Sequence, residues 1–138
     1  MRQAIYNKLN GDTELAAILT GGLFYRQGIS RDKTPEAFDA YGDLKPCAVL
    51  AMGTLAPRTE QGMADLFFKV YFYQQTGYDQ IDLAIERTYD LLHEQQVTAS
   101  NGFCYEILHA NDLGDSEDPA LLMPMNFSRF RAVLLRRV

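Results

Sequence analysis

From Leu66 to Phe72 every even position is apolar (Leu66, Phe68, Val70, Phe72), while the odd positions mix Asp65, Phe67, Lys69, Tyr71 and Tyr73. That alternation is a strand with one buried face. The period then lengthens. Ile81, Ala84, Ile85, Thr88, Tyr89 and Leu92 recur at the three-and-four spacing of a helix, with Asp82, Glu86, Arg87, Asp90 and Glu94 falling largely between them. A strand followed at once by a helix able to cover it, residues 64–93 in all, constrains the fold more than any other stretch, and it contains no catalytic chemistry.

At 138 residues the chain is one domain by length, residues 1–138, and a fold of this size buries roughly two thirds of its unfolded surface. Apolar residues at 47% against 22% charged exclude general disorder, and a net charge of −5 supplies no global reason to bind nucleic acid or an anionic membrane. No apolar run approaches the roughly 20 residues of a membrane-spanning helix. The N-terminus turns amphipathic after Arg2 instead of forming an apolar signal core, so no export is expected. Cys47 and Cys104 stand far apart with no CxxC, which favours a reduced intracellular setting over a structural disulfide.

Ile5 and Leu9 mark a first short helix, and Asp12 reads as the cap of a second, ending at Thr20-Gly21-Gly22. Residues 23–27 form a short strand. Residues 46–52, apolar on both faces, form a central one with Pro46 at its first position. Residues 97–102 read as a polar turn, 103–109 as a strand, and 127–138 as a terminal strand with a basic outer face. Between these lie three long connections, 28–45, 53–63 and 111–119; the second joins its strands as an extended hairpin. The expected fold class is α+β: a mainly antiparallel sheet with an N-terminal helix and one long helix packed on one face.

Candidate chemistry is sparse. His93 and His109 could act as bases for Cys47 or Cys104, but both cysteines fall inside apolar strand patterns, where a thiol is a small core residue. Asp112, Asp115, Glu117 and Asp118 could bind a hard cation, yet lack the order of a calcium loop, and a solvated acidic loop is the simpler reading. Arg129, Arg131, Arg136 and Arg137, with no acid among the closing residues, suit either a phosphate contact or a bridge to an acidic neighbouring subunit. Nucleotide-binding and hydrolase motifs are missing. No cofactor, no metal and no enzymatic activity are expected.

The order of elements resembles a known family. Ile5-Tyr6-Asn7-Lys8-Leu9, then residues 12–19 and Gly21-Gly22-Leu23-Phe24-Tyr25, look like the opening of the tail completion proteins of long-tailed bacteriophages, which include the tail terminators. The similarity continues through residues 45–50, the strand 67–73, the helix 78–95 and the final strand. The resemblance implies a structural subunit, assembled in the host cytoplasm, that forms a homo-oligomeric ring, commonly a hexamer, at the head-proximal end of the tail. Its implied partners are the major tail tube protein, a head completion or neck protein, and double-stranded DNA passing through the lumen without specific binding; no membrane is involved. Under this reading the loops 28–45 and 53–63, the acidic loop and the terminal strand supply the contacts, through Arg31, Phe38, Tyr41, Arg58, Glu60, Met63, Asp115, Glu117, Asp118, Arg129 and Arg131. A neck adaptor between portal and tail is the nearest alternative; a small cytoplasmic enzyme or a binding module are others.

Overall fold

Helix α1 (Arg2–Asn10) buries Ile5 and Leu9, and α2 (Thr13–Ile18) starts where the Asp12 side chain accepts a hydrogen bond from the Leu15 amide at 2.9 Å. Asp12 is gripped a second time from α3 (Asp79–Leu92): Arg87 Nε and Nη2 donate to its two carboxylate oxygens at 2.9 and 2.8 Å. This fork ties the cap of one helix to the flank of another and holds the Asp12 carboxyl below the usual carboxylate range. The computed structural model describes residues 1–58, 62–99 and 102–136.

Among the described residues seven strands form one sheet: β1 (Gly22–Tyr25), β2 (Cys47–Pro57), β3 (Met63–Tyr73), β4 (Val97–Ala99), β5 (Gly102–Asp112), β6 (Ser116–Asp118) and β7 (Met123–Arg136). They lie in the order β1-β2-β3-β7-β5-β4, with β6 paired to the start of β7. Only β1 and β2 are parallel. All three helices sit on one face, where Ile5, Leu15, Ile81 and Leu92 meet Leu50, Phe68, Phe72, Phe130 and Leu134. The α+β fold with helices on one face is therefore as expected from the sequence.

The even positions of β3 point into this core, with Phe68 and Phe130 stacked across strands at 5.3 Å between ring centres. β2 is buried on both sides at its start. Ala48 and Leu50 enter the helix-side core, whereas Cys47 and Val49 join Phe24, Ala37 and Leu44 in a second cluster on the opposite face. Residues 28–45 build that second cluster. Adjacent parallel strands require a long crossover, so this segment is topologically obligatory, and a short 3₁₀ turn at Pro35–Ala37 presses it against the sheet.

Several sequence-based boundaries shift, among them the start of the last strand, which lies at Met123 instead of Phe127. The connection expected over 53–63 is mostly strand, because β2 runs to Pro57 and β3 begins at Met63. A bulge permits this: Gly53 and Thr54 both stand opposite Phe67, which turns Leu55 back toward the core after Met52. The acidic 111–119 stretch contains the end of β5 and all of β6, and the polar turn expected over 97–102 contains β4. Short strands such as these lack an apolar alternation of their own and are held by pairing with a long neighbour.

Candidate functional site

Side chains at the odd positions of β3 and β7 project from the sheet face that bears no helix. The 28–45 segment covers that face at the β1–β2 side, packing on Tyr71 and Tyr73. Among the described residues the remainder is open. In this open part Lys69 stands directly opposite Arg129, and Phe67 directly opposite Arg131. Lys69 Nζ lies 4.6 Å from the centre of the Phe127 ring, and the Arg129 guanidinium lies 5.5 Å from that of Phe67. Cation–π contact holds these two side chains over the sheet. Among the described residues neither lysine nor arginine of this trio makes an ion pair; Asp65, on the same face, is occupied by a two-pronged contact from Arg58 at 3.0 and 2.8 Å. Like charges directly opposite across strands are unfavourable, so three cations gathered here form an anion-seeking surface.

The other expected contact residues are dispersed. Arg31 lies over the Phe38 ring at 5.3 Å and donates from Nη2 to the Gly42 carbonyl at 2.8 Å, while Tyr41, at the tip of the same segment, is 92% exposed. Met63 pairs with Leu135 at one end of the sheet, beside Arg58. Asp115, Glu117 and Asp118 lie at the opposite end, where β6 meets the start of β7. The two ends are roughly 40 Å apart at ~3.4 Å per residue. Glu60 and Arg137 fall outside the described residues. Arg129 and Arg131 thus come together with Lys69, which by its strand period alone is an outward position like its neighbours; only the register of β3 on β7 adds it.

The groups considered for catalysis or metal binding are otherwise engaged. Cys47 and Cys104 are buried on opposite faces of the sheet, and burial pushes the Cys47 thiol up to about 12. Among the described residues neither makes a contact with a histidine. His93 Nδ1 accepts from the His109 amide at 3.0 Å, and the His93 ring stacks on Tyr89 with centres 4.5 Å apart. His109 Nε2 lies 2.9 Å from Asp112 Oδ1, which also accepts from Ser128 Oγ at 2.6 Å. Serine, carboxylate and imidazole therefore meet in an order unlike that of a nucleophilic triad, with the carboxylate between the other two. Asp118 accepts from the Ala120 and Leu121 amides at 2.9 and 2.8 Å, closing a turn. Among the described residues no three His, Cys, Asp or Glu side chains converge on a metal site. No helix there is long and apolar enough to cross a membrane.

No protein family and no curated protein sequence matches the chain. Among solved structures it is similar to a chain in the virion of a native gene transfer agent particle, at 16% identity and a TM-score of 0.71. The likeness covers 97% of this chain and 93% of that one, so the two share a fold across nearly their whole lengths.

Proposed function

We propose that this chain is a structural virion subunit that forms a ring at the head-proximal end of a phage tail tube, ends tube polymerisation and presents the surface that joins the head. The end-to-end fold likeness to a virion chain carries this reading. The order of elements that resembles the tail completion proteins supports the finer role. A ring of identical subunits joined head to tail closes whenever the rotation per subunit closes. One ring face would match the last tube ring; the other would not repeat the tube's growing surface, and subunit addition would stop. Tyr41, Leu113 and Leu122, exposed at 92%, 47% and 72%, are apolar side chains on connections, where such contacts are made. In this reading the subunit has no catalytic task, its partners are further copies, the tube protein and a neck protein, and DNA passes through the lumen.

The test is to mix the purified chain with tail tube subunits and follow tube growth by negative-stain electron microscopy. Rings on one end of each tube, with length held constant, are expected. Tubes that elongate unchanged would sink the reading, and rings that ignore tubes but bind portal assemblies would move the chain to the neck adaptor role.

A further inference from the structure

The two faces of the molecule carry opposite charge in complementary spacing. On the open sheet face stand Lys69, Arg129 and Arg131, the latter two separated by about 7 Å along β7, as alternate residues of a strand are. On the outside of α3, which packs against the other face of the sheet, Asp82, Glu86 and Asp90 are exposed at intervals of four, about 6 Å apart along the helix. None of these three carboxylates makes an ion pair among the described residues. Arg87, the cation of α3, points away to Asp12 and Glu14. Beside the acidic stripe sits Leu83, 48% exposed on a helix that buries Ile81, Ala84 and Leu92.

From this we infer that the open sheet face is the docking surface for a second copy of the chain, and that it receives the acidic outer face of that copy's α3. Charge complementarity selects this occupant: the chain is acidic overall, it offers one open cationic face, and its own α3 supplies carboxylates at matching intervals. The apolar component comes from Leu83 against Phe67 and the aliphatic stems of the arginines. Because the donor and acceptor faces differ, the contact is heterologous, and each copy leaves one face of each kind for the next. Closure of the series into a ring rests on the tail reading above; the pairing of faces does not.

The experiment is a charge swap read by sedimentation velocity across a salt series. Wild type should self-associate, and less so as salt shortens the screening length from about 10 Å at 0.1 M to about 3 Å at 1 M. A sheet variant, Lys69→Glu with Arg129→Glu, and a helix variant, Asp82→Lys with Glu86→Lys, should each lose association by more than about tenfold, while an equal mixture of the two recovers it. Circular dichroism confirms folding, and Arg129→Glu alone, at an exposed position, replaces the double variant if that variant is unstable. Association by either variant at the wild-type level, a mixture that stays apart, or wild type that remains monomeric at about 1 mM would each overturn the inference. So would a sheet variant that still associates but loses binding to a labelled DNA duplex, which would reassign the face to a polyanion. Loss of tube capping by a chain that still associates would instead count against the tail reading alone.

Discussion

Gln74, just beyond β3, holds the start of α3. Its Oε1 accepts from the Gln80 and Ile81 amides at 3.0 and 3.2 Å, and its Nε2 donates to the Thr76 carbonyl and the Asp79 carboxylate. The residue at the N-cap position, Tyr78, makes no capping bond, so the orphan amides are satisfied from outside the helix. Gln74→Leu should cost about 2 kcal/mol, read as a lower urea midpoint together with faster amide exchange in the first turn of α3. Thr88 presents the converse case: its hydroxyl is fully buried without a hydrogen-bond partner among the described residues. Thr88→Val keeps the shape, removes the orphan, and should raise stability by about 1 kcal/mol in the same assay. Asp12 sets a pH dependence. Its carboxyl lies below the unfolded value near ~4, chiefly through the Arg87 hydrogen bonds. Its contribution is therefore complete above about pH 4 and fades as pH falls through the lowered folded value. Asp12→Asn can still cap α2, and should be less stable than wild type at pH 7 while converging with it in acid; parallel curves at all pH values would show that the charge is irrelevant.

Among the elements, β3 and α3 were legible because each keeps one period from end to end. β2 and β5 were less so, since bulges reset their alternation. In β2 the inward positions pass from Met52 to Leu55; in β5 they pass from Cys104 to Ile107, and a second irregularity follows His109. A reader of alternation alone sees the pattern fail there and ends the strand or calls a loop. Gly53 enables the first bulge, because a Cβ at that position would come within 2.9 Å of the Phe67 carbonyl oxygen. Gly53→Ala should accordingly cost about 1–3 kcal/mol, and crosspeaks of Leu55 and Leu66 should shift in an NMR spectrum, whereas an unperturbed spectrum would mean that the bulge absorbs the methyl. The parallel pairing of β1 with β2 was not legible at all, for it depends on where a crossover of some twenty residues lays its ends. The same holds for the cationic trio: Arg129 and Arg131 announce an outward basic face by themselves, but Lys69 joins them only through register.

At the scale of the molecule, the sheet separates two apolar clusters of unequal size, and each holds one thiol. Cys104 lies under the helices, and Cys47 under the 28–45 crossover. Both thiols are raised by burial, so neither should react with a thiol reagent at pH 8 until denaturant is added. Fast native reaction at Cys47, mapped by mass spectrometry, would reveal that the crossover lifts away from the sheet. A further consequence concerns the sheet's margins. Its outermost strands, β1 and β4, span only four and three residues, and the long strands just inside them are bulged where they run on alone. Backbone-to-backbone addition of another chain finds no straight ribbon to copy. In the proposed assembly, copies would therefore meet through side chains, in contacts whose geometry is finite and whose number can be set, and not by the template-driven growth that a bare strand edge invites.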